Sequence, residues 1–446
     1  MTSPIAIIAV SEGTRPTGLT ETQARWAEAN GFSGQRGRLL AVPGATGAID
    51  LYLFGLGSLA GRSPLVFGLA GAALEPGRYR LAGEIADPTL AALGFELGAY
   101  RFDRYRKPRK SHELVVPEGA DALELARLIE SAALARDLVN TPANDLGPDA
   151  LERAVRAVAD RHGAAFVSHV GDALLSQNFP LIHAVGRAAH EAPRLVDFTW
   201  GNPAHPKVTL VGKGVTFDTG GLDIKPSASM LLMKKDMGGA ANVLGLANCI
   251  MDARLPVRLR VLIPIVENAI AGAAFRPGDV LVARDGTSVE IGNTDAEGRL
   301  ILADALALAD EEAPALLIDM ATLTGAARTA LGPDLPPLYT HDDDLAGALM
   351  QAGRAEDDPL RRLPLHLPYE GLIASRIADI NNAGSSGFAG SITAALFLNR
   401  FVKHARAWAH LDIFAWAPEA RAGRPYGGTD QGQRAVYTYL KSRFGA

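Results

Sequence analysis

Short apolar segments with strand character alternate with segments of helical periodicity along most of the chain. In its second part, apolar runs that predict strands lie at residues 208–211, 259–266, 315–320 and 407–414. Segments that predict helices lie at residues 121–140, 151–162, 238–252, 300–312 and 391–404. Strands separated by helices favour a layered α/β domain built around a central sheet.

The N-terminal part of the chain predicts a separate, smaller α/β unit. Strands are predicted at residues 5–10, 49–54 and 64–69, and a helix at residues 90–100. A basic run at residues 101–110 follows, and we place the end of the unit close to it. The predicted organisation is a small N-terminal α/β domain at residues 1–115. A larger C-terminal domain follows at residues 116–446, with α/β/α layers and a central mixed sheet.

The charge balance argues against a nucleic-acid-binding protein. The 446 residues include 44 basic and 49 acidic side chains, for a net charge of −5, whereas such proteins usually carry a basic excess. The run at residues 101–110 has six basic residues and includes Phe102 and Tyr105. Basic residues interleaved with aromatic ones can bind nucleic acid, so this function stays an alternative to a solvated linker.

The N-terminal segment and the apolar runs of the chain predict neither a signal peptide nor a membrane-spanning segment. No positive charge precedes the first apolar run, which stops at Ser11 and Glu12, too early for a signal peptide. No uninterrupted apolar segment approaches the ~20 residues that cross a bilayer. The single cysteine, Cys249, lies in an apolar helical segment and excludes an intrachain disulfide. We expect a cytoplasmic protein that does not contact a membrane, with Cys249 buried and inert.

Two glycine-rich stretches, at residues 211–241 and 292–300, combine acidic residues with lysines. The glycine-flanked Lys213 follows a predicted strand, which raises the question of a phosphate-binding loop. Such a loop requires glycine where the chain has Lys207, and serine or threonine where it has Gly214. The sequence also lacks the His-Glu-x-x-His and Gly-x-Ser-x-Gly motifs. Phosphate-loop chemistry and these two hydrolase classes are therefore excluded.

Four acidic residues in the two stretches suit divalent cations. Asp218, Asp236, Asp295 and Glu297 together carry four negative charges, which two divalent ions would neutralise. Carboxylate oxygens suit Mg²⁺ and Mn²⁺, and paired ions are a known hydrolytic arrangement. If the second stretch is extended, Asp295, Glu297 and Arg299 point to one side. A surface turn that caps the following helix explains the same pattern, and spacing alone leaves both interpretations open.

These stretches resemble those of the cytosolic leucyl aminopeptidases, a family of dinuclear-metal enzymes. Residues 293–300 (NTDAEGRL) match the most specific signature of that family without a substitution. Residues 211–241 correspond in order and spacing, and residues 321–326 (ATLTGA) and 408–412 (WAHLD) support the match. The likeness covers roughly residues 120–415. It implies that residues 116–446 form a catalytic metallopeptidase domain.

The resemblance implies a set of metal ligands. Asp218, Asp295 and Glu297 would hold one ion, and Lys213, Asp218, Asp236 and Glu297 would hold the other. The ions would be Mn²⁺ or Zn²⁺, with Mg²⁺ and Co²⁺ also suited to the ligands. A hydroxide shared by the two ions would attack the peptide carbonyl, since metal coordination lowers the pKa of water.

The resemblance also implies roles in catalysis. Lys225 would stay protonated and stabilise the developing oxyanion. Arg299 would hold a bicarbonate that acts as general base, because a guanidinium binds a planar anion through two hydrogen bonds. The free amine of the substrate would bind Asp236 and the second metal. The implied activity is removal of N-terminal leucine or another neutral residue from peptides, by a homohexamer.

The resemblance implies only a few residues that would contact the substrate. Met233, Thr322 and Leu323 match family positions around the substrate, although Met233 could equally fill the core. Asp223, Asp319, Asp412 and His410 are interpreted as structural. Residues 415–429 depart from the usual family ending, which contributes to the pocket. A catalytically silent relative is a further alternative, but every motif position for metal or proton chemistry is present.

Overall fold

The structure is a computed structural model that describes residues 3–107 and 111–445. The chain divides into two units. One comprises Met1–Ala133 with Ala417–Tyr426, and the other comprises Leu134–Trp416 with Gly427–Ala446. Both units are α/β structures, which confirms the predicted fold class. Among the described residues, no helix combines the length and apolar character needed to span a membrane.

The first unit is built around a mixed sheet. Its strands are β1 (Ile5–Ser11), β2 (Leu39–Pro43), β3 (Ile49–Gly57), β4 (Arg78–Gly83) and β5 (Glu113–Val115), and its helices are α1 (Glu21–Ala29), α2 (Gly68–Ala73) and α3 (Pro88–Ala99). The sheet order is β2-β3-β1-β4-β5, and β2 is the antiparallel member. Apolar side chains from the sheet, α2 and α3 form one buried core, with Phe54 and Phe95 fully covered.

The strand predicted at residues 64–69 is wrong, because this segment is a turn that leads into α2. Close packing of α2 against α3 explains the difference. A Cβ at Gly71 would lie 2.1 Å from the carbonyl oxygen of Phe95, and a Cβ at Gly98 would lie 2.0 Å from that of Gly68. The glycines therefore allow two helix backbones to touch, and this packing outweighs the strand-like composition.

The second unit contains the remaining elements within the described ranges. Its strands, of which β18 ends in the first unit, are β6 (Ala165–Val170), β7 (Arg194–Trp200), β8 (Lys207–Gly212), β9 (Gly214–Asp218), β10 (Arg258–Asn268), β11 (Val280–Val282), β12 (Ser288–Glu290), β13 (Leu316–Ala321), β14 (Pro337–Tyr339), β15 (Arg361–Arg362), β16 (Ile380–Asn381), β17 (Trp408–Asp412), β18 (Trp416–Ala417) and β19 (Gly427–Gly428). Its helices, of which α4 begins in the first unit, are α4 (Ala122–Asn140), α5 (Pro148–Arg161), α6 (Ala173–Ser176), α7 (Pro180–Gly186), α8 (Ser227–Met230), α9 (Gly238–Asp252), α10 (Glu297–Asp310), α11 (Gly325–Leu331), α12 (Asp343–Ala355), α13 (Gly390–Asn399) and α14 (Gln433–Phe444). Two short 3₁₀ helices lie at Met233–Lys235 and Leu367–Ile373.

A mixed sheet forms the centre of the second unit. Its order is β15-β14-β17-β13-β8-β10-β7-β6, and β9 also pairs with β10. The four central strands β17, β13, β8 and β10 are mutually parallel, so their carboxyl ends lie at one edge. Helices α9 and α10 both pack on these strands. Helix α9 also contacts α5 and α14, whereas α10 contacts α7 and α13. This arrangement confirms the predicted mixed sheet between helices.

The last predicted helix, at residues 391–404, is shorter in the structure and ends at Asn399. Asp310, at the end of α10, provides the reason. Its carboxylate accepts the backbone N–H groups of Lys403, His404 and Ala405 at 2.7–2.9 Å. These amides bind a side chain instead of the preceding helical turn, which ends the helix.

Replacing Asp310 with alanine is expected to lower the free energy of unfolding by about 1–3 kcal/mol, because buried amide donors lose their acceptor. Asp310 is 3% exposed. Urea denaturation measures the change. The neighbouring Glu311, whose side chain is 55% exposed and pairs with Arg284, provides the control. Glu311→Ala should change stability by at most about 1 kcal/mol. Equal losses in the two variants would contradict the role assigned to Asp310.

Candidate active site

The residues singled out in the first glycine-rich stretch lie at the carboxyl edge of the central sheet. Lys213 directly follows β8, Asp218 ends β9, and Thr322 directly follows β13. Open α/β sheets bind ligands at this edge, since the loops that leave parallel strands meet there. Strand order therefore brings together residues that are about one hundred positions apart in the chain.

The loop after β9 is held by backbone conformations that favour glycine. Gly220 and Gly221 have φ angles of +88° and +65°, a region that side chains rarely adopt. The Gly220 N–H donates to Asp218 Oδ1 at 2.9 Å. Asn268, at the end of β10, donates its Nδ2 to the same oxygen at 2.9 Å and to the Thr294 carbonyl at 3.1 Å. Asp218 is thereby fixed in one orientation.

Thr294 joins the two glycine-rich stretches. Its hydroxyl donates to the Gly220 carbonyl at 2.6 Å, and its N–H donates to Asp223 Oδ2 at 2.7 Å. Asp223 thus has the structural role predicted for it. The extended segment considered for residues 295–299 is wrong, because α10 begins at Glu297. Residues 294 and 295 do form a turn before α10, but Thr294 and Glu297 are at most 1% exposed, so the turn is not a surface feature. A carboxylate at the first residue of a helix is stabilised by the helix dipole.

Three buried carboxylates converge at this edge. One oxygen each from Asp218, Asp236 and Glu297 lies within 4.8 Å of the other two. Lys213 Nζ lies 2.8 Å from Asp236 Oδ2 and 3.1 Å from Glu297 Oε1. It also donates to the Thr322 carbonyl at 2.9 Å. The ammonium group therefore lies between two carboxylates, where a cation is electrostatically favoured.

A second lysine lies on the outer side of the cluster. Lys225 Nζ lies 2.8 Å from Asp218 Oδ2 and forms an ion pair with Asp295. The Asp295 side chain is 31% exposed, against 3% for Asp218. Asp295 therefore extends the carboxylate cluster toward its rim. All seven residues predicted for metal binding and catalysis lie in the second unit, and six of them meet here.

Burial and mutual repulsion disfavour the charged forms of the clustered carboxylates. Burial raises the pKa of Glu297 to about 8 and that of Asp295 to about 6, and the Asp218 carboxylate acts in the same direction on both. Burial alone would lower the pKa of Lys213, but Asp236 and Glu297 raise it well above its usual range. Lys213 could therefore bind a metal ion only as a neutral amine, after bound metal cations had displaced its proton.

The residues present fit divalent cations. Glu297 Oε2 is buried and has no hydrogen-bond partner among the described residues. A buried carboxylate oxygen without a partner is costly, and a metal ion would supply the missing interaction. Carboxylate oxygens with one amine are ligands of the kind that Mn²⁺ and Zn²⁺ accept.

A pocket of about 390 Å³ opens beside the cluster. Met233, Thr322 and Leu323, the three residues predicted near the substrate, all line it. Its other lining residues are Lys213, Asp218, Lys225, Ala228, Ser229, Leu232, Lys235, Asp236, Asp295, Glu297, Thr324, Gly325, Arg328, Ile413 and Phe414. The volume lies in the range of pockets that hold small ligands, so a substrate residue can lie next to the carboxylates.

Arg299 is the predicted site residue that does not line this pocket. It lies in the first turn of α10, 8% exposed, and its Nη1 donates to the Asn382 carbonyl at 2.6 Å. Its Nε is buried and has no partner among the described residues. The guanidinium therefore retains a donor for a small anion.

The remaining polar residues considered in the sequence make structural contacts near the site. Asp412 accepts the N–H of Leu323 at 3.0 Å and the hydroxyl of Thr324 at 2.7 Å, which holds the pocket segment after β13. His410 is fully buried and lies 2.5 Å from Asp319 through Nδ1. Both results agree with the structural interpretation of these residues. Cys249 is 1% exposed, as expected for a core residue.

Four residues at the site are not predicted from the sequence, namely Asn268, Lys235, Arg328 and Phe414. Asn268 had a recognisable signal, because it ends the long apolar strand β10 at the carboxyl edge. Lys235, Arg328 and Phe414 had none, since they come from three separate segments that only the folded chain brings together.

The basic run considered for nucleic-acid binding is described as far as residue 107, and residues 108–110 lie outside the described ranges. Arg101 donates to the backbone carbonyls of Ala72, Gly98 and Tyr100 at 2.8–2.9 Å. This arginine thus contributes to the packing of the first unit, and its guanidinium donors already have acceptors.

Comparison with known proteins identifies the same family that the motifs suggested. Residues 133–437 match the model of the cytosol aminopeptidase family, catalytic domain, and residues 16–117 match that of the M17 aminopeptidase N-terminal domain. A probable cytosol aminopeptidase of Geobacter sp. (strain M21) is 40% identical over 451 residues, which covers 94% of this chain and 91% of the relative.

Solved structures agree with this result. The 1.8 Å crystal structure of cytosol aminopeptidase from Coxiella burnetii superposes with a TM-score of 0.94 at 45% identity, covering 100% of this chain and 98% of that chain. The bottromycin maturation enzyme BotP in complex with Mn has a TM-score of 0.90 at 35% identity, covering 99% of this chain and 100% of that chain. With these likenesses and a catalytic-domain match over residues 133–437, the chain belongs to the cytosol aminopeptidase family of metal-dependent peptidases.

Proposed function

We propose that this protein is a dinuclear-metal aminopeptidase that removes leucine or another neutral residue from the N-terminus of peptides. The observation that carries the proposal is the buried carboxylate cluster of Asp218, Asp236 and Glu297 beside a pocket large enough for a substrate residue. Family membership supports the peptidase chemistry. The whole set of proposed residues falls within residues 116–446, the predicted catalytic domain.

The proposed ligands are Asp218, Asp295 and Glu297 for one ion, and Lys213, Asp218, Asp236 and Glu297 for the other. Bound Mn²⁺ or Zn²⁺ would supply a nucleophile at neutral pH and polarise the peptide carbonyl. The Mn complex of BotP supports a divalent cation in this fold. Asp218 and Glu297 are the buried residues shared by both ligand sets, which places them at the centre of the proposed site.

Lys225 and Arg299 are the proposed catalytic residues. Lys225 is proposed to keep its proton. Burial opposes its charge, but Asp218 and Glu297 raise its pKa. Its ammonium can therefore donate to the oxyanion that forms when water adds to the peptide carbonyl. Arg299 has the buried Nε donor that a bicarbonate ion would accept, and a bicarbonate held there would take a proton from the attacking water.

Asp236 is proposed to orient the free amine of the substrate, and this requirement makes the enzyme an exopeptidase. The hydroxyl of Thr322 donates to Asp236 Oδ1 at 2.9 Å, so the pocket wall and the amine site are coupled. Met233 and Leu323 would contact the side chain of the N-terminal residue. The family resemblance extends the proposal to a homohexamer in solution, which light scattering would measure.

Cleavage of leucine p-nitroanilide tests this function. Purified protein supplied with Mn²⁺ should release p-nitroaniline, and it should lose this activity when a chelator removes the metal. N-acetylated leucine p-nitroanilide should not be cleaved, because its amine is blocked. Equal turnover of the two substrates would exclude an aminopeptidase, and full activity in excess chelator would exclude a metal-dependent reaction.

A further inference from the structure

Two positively charged side chains contact one aromatic ring in the wall of the pocket. Lys235 Nζ lies 4.8 Å from the centroid of the Phe414 ring, and Arg328 Cζ lies 5.0 Å from the same centroid. All three residues line the pocket that contains the carboxylate cluster. Lys235 is 5% exposed, whereas Arg328 lies at the exposed rim. We call these two side chains the Lys235–Arg328 pair.

The Lys235–Arg328 pair has no anionic partner in the described part of the chain. Neither side chain forms an ion pair within 4.0 Å or a hydrogen bond there. Asp236 and Asp412, the two acids whose charges act on Lys235, both have other partners. Asp236 Oδ2 lies 2.8 Å from the lysine of the metal cluster, and Asp412 accepts the hydroxyl of Thr324 at 2.7 Å.

The neighbouring lysine shows how a structural ammonium group is satisfied in this segment. Lys234 lies 5.5 Å from the Trp416 ring centroid, but it also donates to the Asn140 carbonyl at 2.7 Å. Lys235 is more deeply buried than Lys234, and among the described residues its ammonium group contacts only the face of the Phe414 ring. A buried ammonium loses hydration, and cation–π attraction replaces only part of it. Lys235 therefore retains donors for an anion that enters the pocket.

We propose that the Lys235–Arg328 pair is a carboxylate subsite of the substrate pocket. This inference rests on the proposed aminopeptidase function and deepens it. The ligand is a carboxylate of the substrate, either the side chain of an N-terminal glutamate or aspartate, or the C-terminus of a dipeptide. Both are within one or two residues of the scissile bond and so can enter the same pocket. The subsite adds substrates with a carboxylate to the neutral ones already proposed.

Paired substrates of equal shape test the subsite. Glutamate and glutamine p-nitroanilides differ only in the charge of the side chain, and leucylglycine and its amide differ only in the C-terminal carboxylate. With Mn²⁺-loaded protein, we expect kcat/KM to favour the charged member of one pair. Lys235→Met should reduce that preference about tenfold, as expected when a hydrogen bond to a charged group is lost. Arg328→Gln should reduce it in the same direction.

Lys403→Met is the matched control. Lys403 is 55% exposed, pairs with Asp285 and does not line the pocket, so its loss removes one positive charge elsewhere in the same unit. This variant should retain the wild-type preference. Loss of the glutamate preference in Lys235→Met identifies the side-chain carboxylate as the ligand, and loss of the leucylglycine preference identifies the C-terminus.

Two outcomes would overturn the subsite. One is a wild-type enzyme that cleaves charged and uncharged members equally in both pairs. The other is a preference that Lys235→Met and Arg328→Gln leave unchanged. Failure of the proposed function itself looks different, since then no member of either pair, nor leucine p-nitroanilide, would be cleaved.

Discussion

Replacing Glu297 with glutamine is expected to lower kcat/KM for leucine p-nitroanilide by at least about 100-fold. Loss of residues that merely support a metal ligand already reduces affinity or activity 10- to 100-fold, and Glu297 is proposed to contact both ions directly. Glutamine has nearly the same shape but no charge. Metal content of the purified protein, measured by mass spectrometry, should fall with activity.

The effect of Glu297→Gln must be separated from a general effect of losing a carboxylate on α10. Glu311 follows the last residue of that helix and its side chain is 55% exposed, so Glu311→Gln is the matched control. It should keep wild-type activity and metal content. A Glu297→Gln enzyme that binds two metals and turns over normally would exclude Glu297 as a bridging ligand.

Replacing Gly298 with alanine is expected to lower activity roughly 10- to 100-fold, the range seen when residues that position metal ligands are mutated. A Cβ at this position would lie 2.5 Å from Lys213 Cε and 2.6 Å from its Nζ. The lysine side chain must therefore shift, which alters its contacts with Asp236 and Glu297. Overpacking of this kind should also destabilise the fold by about 1–3 kcal/mol. Steady-state kinetics and thermal unfolding measure the two effects.

Gly347 provides the control for this substitution. It lies in helix α12, and a Cβ there would have no atom within 4 Å. Gly347→Ala should leave activity unchanged and stabilise the helix by up to about 1 kcal/mol. If Gly298→Ala behaves in the same way, the close approach of α10 to Lys213 does not matter for the site.

The presence of two lysines among the carboxylates has a simple electrostatic explanation. Lys213 and Lys225 lie between acidic side chains that would otherwise repel one another in a buried place. In the proposed enzyme they have different fates, since Lys213 binds a metal as a neutral amine and Lys225 keeps its proton.

Local sequence patterns predicted much of the second unit. The helix at residues 238–252 has the same bounds in the structure, and the strands at residues 208–211 and 259–266 lie within β8 and β10. Such segments are buried on both sides, so they form nearly continuous apolar runs that are easy to recognise. The strand predicted at residues 64–69 is wrong because helix packing outweighs the apolar composition there. The helix predicted at residues 391–404 is too long because the Asp310 side chain binds the backbone amides beyond its end.

The motif residues were recognisable in the sequence because metal and proton chemistry restricts residue type and spacing. Acids and lysines among glycines at residues 211–241 and 292–300 therefore indicated a candidate site and a family. The converging positions of Lys235, Arg328 and Phe414 depend instead on the order of β8, β13 and β17 in the sheet. No local pattern encodes that order, because it follows from the packing of the whole domain. The folded chain alone thus shows that the positively charged side chains of Lys235 and Arg328, which have no ion-pair partner among the described residues, line the pocket beside the carboxylates.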